Sequence, residues 1–143
     1  MMRKKRNKRT SKSKKKQLGK YKSSIEKYCA TQLREHGIPF SYEEKQFTLV
    51  ESFKMTTKRK DMSDRSNSIQ QPIRYTPDFV CKDSKWIIET KGYLPSHHDF
   101  PMRWKLFLKY IMDKEMNCEV YLAKNKLQVD QAIREIKKSI DND

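Results

Sequence analysis

Ile25, Tyr28, Cys29 and Leu33 recur at intervals of three and four residues, the spacing that lines one face of a helix. This predicts a helix from Ser23 or Ser24 to about His36, stopped by a left-handed Gly37 and kept from resuming by Pro39. At Phe40 the period falls to two. Phe40, Tyr42, Phe47 and Leu49 alternate with polar residues, so 40–53 reads as extended, in two short strands. Residues 54–72 are polar, basic and nearly without hydrophobes, the composition of a long, mobile hairpin loop. Ile73–Cys81 and Trp86–Thr90 follow as strands around the turn-forming Lys82-Asp83-Ser84-Lys85, and Gly92 ends the second. Pro101 to about Met116 reads as a helix burying Met102, Leu106, Phe107, Tyr110 and Ile111. Cys118–Ala123 is a short apolar strand, and Val129–Ile140 a closing helix with Ala132, Ile133, Ile136 and Ile140 inward. A strand–helix–strand passage with helices at both ends predicts an α/β fold, a mixed sheet of four to five strands flanked by helices.

Composition changes this picture at one end. The 143 residues, 17.3 kDa, are the length of a single domain, with 35% apolar and 36% charged residues. The formal charge is +15, and residues 1–20 carry +11 of it without a single acid. That segment has too little apolar surface to offset its ordering entropy, so 1–20 is expected to be a disordered basic arm on a domain at 21–143. Such an arm suits a polyphosphate partner, because each neutralised phosphate releases condensed counterions. No apolar run approaches the roughly 18 residues of a membrane span, and no apolar segment follows the basic start as in a secretory signal. A cytoplasmic protein is expected. Cys29, Cys81 and Cys118 are odd in number, widely spaced and without a CxxC pair, which fits plain thiols better than disulfides or a zinc site.

The candidate chemistry lies in Pro77-Asp78-Phe79 and Glu89-Thr90-Lys91. Residues two apart on a strand share a face, so Glu89 and Lys91 project together at the end of the apolar side carrying Ile87. Asp78 sits on the preceding strand of a short-turn hairpin, within reach of Glu89. Two carboxylates at one spot repel each other unless a cation lies between them. Oxygen donors without His or Cys suit Mg²⁺. The Lys91 ammonium can then favour hydroxide over water and steady charge on an attacked phosphate. Taken singly, an ExK on a strand is an ordinary surface ion pair and a Pro-Asp an ordinary turn. Both at hairpin spacing in a basic protein point to phosphodiester hydrolysis.

This pattern resembles the PD-(D/E)xK nuclease superfamily. Ser24-Ile25-Glu26, His36-Gly37-Ile38-Pro39-Phe40, Tyr42-Glu43-Glu44, Tyr75-Thr76-Pro77-Asp78-Phe79 and Glu89-Thr90-Lys91-Gly92 look like phage endonuclease I, a family of Holliday-junction resolvases. The resemblance covers about residues 23–123. It implies a restriction-endonuclease-like core and Mg²⁺-dependent cleavage of branched DNA by a homodimer, with Mn²⁺ able to substitute. It also implies Glu26, Asp78 and Glu89 as acidic site residues, Lys91 as catalytic lysine and the Thr90 carbonyl as a further metal ligand. The 54–72 loop is longer than in that family, and the chain lacks its basic C-terminal extension. Two rival expectations are a nuclease of this fold acting on linear or single-stranded DNA, and a DNA-binding protein that does not cut.

Other polar residues are read more plainly. Ser23-Ser24-Ile25-Glu26 is by itself a capping box, and only the resemblance moves Glu26 to the site. Glu43 and Glu44 are adjacent, so only one can face the active side of the sheet; both stand as secondary candidates, read as exposed strand charges before ligands. His97-His98-Asp99 reads as a solvated turn. Lys58, Arg59, Lys60 and Arg65 in the long loop can track a DNA backbone, while Arg103, Lys105 and Lys109 offer phosphate contacts or a solvated helix face.

Overall fold

The computed structural model describes residues 19–55, 69–92 and 98–143. The chain divides into two compact units. One comprises, among the described residues, 19–39, 90–92 and 122–143. Its first helix, α1 (Ser24–Glu35), is set by its ends. Ser23 Oγ accepts from the Glu26 amide at 3.2 Å, and Glu26 Oε2 accepts from the amides of Ser23 at 3.2 Å and Lys22 at 2.7 Å. The capping box foreseen from the sequence is therefore closed in both directions. At the other end Gly37 has φ 65°. The Gly37 amide donates to the Arg34 carbonyl at 3.0 Å and the Ile38 amide to the Leu33 carbonyl at 2.9 Å, the pair of bonds that closes a helix through a left-handed residue.

The buried face of α1 is Glu26, Cys29, Ala30 and Leu33, and it contacts the closing helix of the chain, Lys126–Asp141. The expected stripe is thus rotated. Ile25 and Tyr28 are only half-buried, and an acid heads the stripe in their place. Tyr28 explains its own position: its hydroxyl donates to Asp130 Oδ1 at 2.8 Å, and the Lys126 ammonium lies 5.1 Å from its ring centroid. The closing helix buries Val129, Ala132, Ile133 and Ile136, whereas Ile140, expected inward, is 49% exposed in the last turn.

The other unit comprises, among the described residues, 40–55, 69–89 and 98–121. Its strands are β1 (Ser41–Tyr42), β2 (Phe47–Val50), β3 (Phe53–Lys54), β4 (Ile69–Gln70), β5 (Ile73–Tyr75), β6 (Phe79–Val80), β7 (Trp86–Thr90) and β8 (Glu119–Ala123). Between β7 and β8 lies α2 (Phe100–Asp113), so the closing helix is α3. The last residues of β7 and β8 belong to the first unit. The main sheet has the order β1-β6-β7-β8. β6 is antiparallel to both neighbours, with Tyr42↔Phe79 and Phe79↔Ile88 in register. β8 runs parallel to β7, bracketed by the bonds Glu119 N to Lys85 O and Lys91 N to Ala123 O, 2.9 and 2.8 Å. The α/β class and the mixed sheet agree with the sequence reading.

Two strand expectations need correction. Ile73–Cys81 is not one strand, because Pro77 has no amide to continue the ladder. The piece before it, β5, pairs with β2 in a two-stranded sheet, and the piece after it, β6, enters the main sheet. Residues 40–53 likewise form three short strands rather than two. Ile69 and Gln70 in the expected loop pair with Lys54 and Phe53. The basic arm to residue 18 and the loop tip at 56–68 lie outside the described residues, as do Lys58, Arg59, Lys60, Arg65 and His97.

The core of this unit gathers Phe47, Tyr75, Val80, Ile87, Phe107 and Ile111. Phe107 of α2 anchors it, with ring centroids 4.5 Å from Tyr75, 5.3 Å from Phe47 and 5.8 Å from Trp104. Met102, expected to be buried, is 72% exposed, and Leu106 and Tyr110 are half-buried. α2 also ends sooner than Met116. Glu115 adopts φ 50°, its amide donates to the Met112 carbonyl and the Met116 amide donates to the Ile111 carbonyl, both at 3.1 Å. A left-handed conformation costs a non-glycine residue about 1–2 kcal/mol. Glu115→Gly should therefore raise unfolding stability by about 1 kcal/mol, read from the shift of the urea midpoint at constant slope.

All three cysteines are free thiols, Cys29 buried and Cys81 and Cys118 half-buried. Burial pushes the Cys118 thiol from 9.0 up to about 11. Burial disfavours the thiolate, so at pH 8 the native thiol is ionised about a hundredfold less than an unperturbed one. Alkylation of Cys118 by iodoacetamide, followed by mass spectrometry at pH 8, should be slower in native than in urea-unfolded protein by that factor. No described helix is long and apolar enough to cross a membrane.

Candidate functional site

Pro77 decides where the first acid stands. It ends the β2–β5 ladder, and the chain re-enters a sheet at Phe79, leaving Asp78 at the mouth of β6. Because Phe79 pairs with Ile88 in an antiparallel register, Asp78 and Glu89 are brought opposite each other. The contact is direct: the Asp78 amide donates to Glu89 Oε2 at 3.2 Å. Both side chains are buried, each 6% exposed. The hairpin reading of these two residues is reproduced in the fold.

On the other side of β6, Glu43 follows β1 with φ 49°, and its amide donates to the Asp78 carbonyl at 2.9 Å. That bond carries the turn past Asp78, and a carboxylate oxygen of each lies within 4.8 Å of the other. Glu43 is half-buried and Glu44 exposed. Of the two secondary candidates it is therefore Glu43 that stands beside Asp78, which nothing local reveals because it depends on β1 lying beside β6.

A residue not foreseen at the site is Tyr75. Its hydroxyl donates to Glu89 Oε2 at 2.6 Å, from a ring that is 5% exposed. Burial first, then the negative charge of Glu89, holds this phenol above its ordinary range. It stays protonated and remains a donor at neutral pH. Ionised carboxylates buried among Phe79, Ile87 and Ile88 are costly unless donors or cations offset them. Glu89 has two such donors on one oxygen. Among the described residues, no buried side-chain oxygen or nitrogen lacks a hydrogen-bond partner.

The remaining candidates lie in the other unit. Glu26 is 8% exposed at the head of the buried face of α1, with Oε2 engaged by two backbone amides. Its capping role is thus real, and its burial sets it apart from the solvated acid usual in a first helical turn. Thr90, the last residue of β7, is 5% exposed. Lys91 is half-buried, and its amide bond to Ala123 fixes the backbone at the strand end.

The described cations expected to meet phosphate are on the surface. Arg103 pairs with Asp99 at 2.9 Å and Lys109 with Asp113 at 2.8 Å, all four exposed, as are Lys105 and His98. Exposed pairs one helical turn apart contribute about 0.3–0.5 kcal/mol, so either cation can be recruited by a stronger anion at little cost.

Among the described residues the donors beside Asp78 are carboxylate oxygens, with no His or Cys in the group. That set fits a hard divalent ion such as Mg²⁺ and does not fit zinc or copper. An ion there would relieve the repulsion between Asp78 and Glu43. No family model, curated protein or solved structure matches this chain.

Proposed function

We propose that this chain is a divalent-metal-dependent DNA endonuclease that hydrolyses phosphodiester bonds. Mg²⁺ is the resident ion in this reading, Mn²⁺ its substitute and branched DNA the favoured substrate. The observation that carries the reading is the buried Asp78–Glu89 contact beside Glu43, on strands that meet through the main sheet. Two buried acids beside a half-buried third repel one another unless donors or a cation offset them, in a protein whose net charge of +15 favours polyanions. The resemblance of the Pro77-Asp78 and Glu89-Thr90-Lys91 segments to PD-(D/E)xK nucleases supports the same chemistry.

In this reading Glu43 and Asp78 face the ion, with Glu89 as a further oxygen donor, while Glu26 and the Thr90 carbonyl enter only through the resemblance. A bound ion of this kind supplies positive charge to a phosphoryl oxygen and makes water more acidic. The protein supplies the rest. The Tyr75 hydroxyl and the Asp78 amide both donate to Glu89 Oε2, and Asp78 and Glu89 are buried. Lys91 places an ammonium one residue beyond the buried strand, where it orients the attacking water and offsets charge growing on the phosphate. The basic arm, the 54–72 loop and the α2 cations Arg103, Lys105 and Lys109 hold the nucleic-acid backbone. Symmetrical incision of a four-way junction calls for two copies related by a two-fold axis, hence a homodimer.

The test uses the purified full chain with a synthetic four-way junction, a plain duplex and a single strand, each with Mg²⁺, Mn²⁺ or EDTA. Cleavage leaving 5′-phosphates, dependent on the ion and fastest on the junction, is expected, with a dimer by light scattering. A monomer without junction preference restricts the function to linear DNA. Binding without cleavage under either ion removes the enzyme and leaves a DNA-binding protein.

A further inference from the structure

We infer that Tyr75 is a positioning residue for Glu89: its phenol, clamped in the aromatic core, fixes the orientation of a carboxylate that the proposed metal site uses. The inference rests on that reading of the site and adds a residue to it. Tyr75 ends β5, in register with Phe47 of β2, and so belongs to a different sheet from Glu89 on β7. Its ring is held from two sides, at 4.5 Å from Phe107 and 6.2 Å from Trp104. A tyrosine ring fixed in this way leaves its hydroxyl one narrow range of positions, and that position is 2.6 Å from Glu89 Oε2.

The same oxygen accepts the Asp78 amide at 3.2 Å. Two donors reach Oε2 from opposite sides of the Pro77 break, one from the end of β5 and one from the start of β6. Glu89 has three side-chain torsions, and in the absence of such donors its carboxylate could adopt several orientations. Carboxylates that ligate metals are generally oriented by outer donors, and loss of one donor costs about 10–100-fold in metal affinity or activity. A hydroxyl that merely satisfied its own burial could have used any carbonyl nearby. This one is aimed at a carboxylate that the hydrolysis reading uses as an oxygen donor.

Tyr75→Phe tests the inference, because it keeps the ring and removes only the donor. Calorimetric titration of the full chain with Mn²⁺ should show a dissociation constant about tenfold weaker than wild type, and junction cleavage should fall about 10–100-fold. Phe47→Leu is the control: it disturbs the same core without touching Glu89, so it should lower the melting temperature and leave the Mn²⁺ constant unchanged. In a Glu89→Gln background, Tyr75→Phe should add nothing further to the loss of Mn²⁺ affinity. A Tyr75→Phe protein that binds Mn²⁺ and cuts like an active wild type overturns the inference alone. Equal loss of Mn²⁺ affinity in Tyr75→Phe and Phe47→Leu also overturns it, by reducing Tyr75 to packing. A wild type that neither binds Mn²⁺ nor cuts overturns the metal reading and this inference together.

Discussion

Lys91→Ala should abolish DNA cleavage, by on the order of 10³-fold or more, while leaving DNA affinity within a few-fold of wild type. The two effects separate because they draw on different numbers of charges. Lys91 is one of 33 basic side chains, and removing one of so many changes counterion release little. In the proposed chemistry, by contrast, no other ammonium takes its place beside the reacting phosphate. The fold should tolerate the change: the contact that fixes this point of the chain is the Lys91 backbone amide to the Ala123 carbonyl at 2.8 Å, which alanine retains. Single-turnover cleavage and fluorescence anisotropy on the same junction measure the two quantities. Asp78→Asn, nearly isosteric, should lose cleavage to the same degree and weaken Mn²⁺ binding as well. Wild-type cutting by Lys91→Ala would sink the assignment.

Phe107→Ala carries the largest expected cost in stability, about 3–5 kcal/mol. Phe107 is fully buried and touches Tyr75, Phe47 and Trp104, so its removal opens a cavity bounded by three rings that cannot all collapse into it. It joins α2 to the β2–β5 sheet, so the loss should appear as a lower urea midpoint for this unit. Met112→Ala, on the same helix but 76% exposed, should stay within about 0.5 kcal/mol of wild type. Similar midpoints for the two variants would mean that the aromatic cluster does not hold α2.

The features legible in the chain were those with local causes. α1 begins at its capping box and ends at Gly37 because both signals lie within a few residues of the backbone they close. β7 is bounded by a polar turn and Gly92, and its five consecutive buried residues could form only an interior strand. Asp78 and Glu89 could be paired in advance for the same reason: a short turn leaves antiparallel pairing as the only simple connection. Misreadings arose where distant elements decide. Met102 and Ile140 fit a helical period yet lie at helix ends that no described residue covers well enough to bury them. Ile25 and Tyr28 yielded their place to Glu26 because α3 packs on the neighbouring angle of α1.

The amino-acid order by itself therefore determined the α/β alternation, the helix ends, the hairpin carrying two acids and the net positive charge. Tertiary structure alone decided that the residues around Pro77 serve two different sheets, that Glu43 stands beside Asp78 and that Tyr75 reaches Glu89. The physical reason is that strand pairing is non-local. A strand's alternation says which side chains share a face, and only the identity of the neighbouring strands says what that face meets.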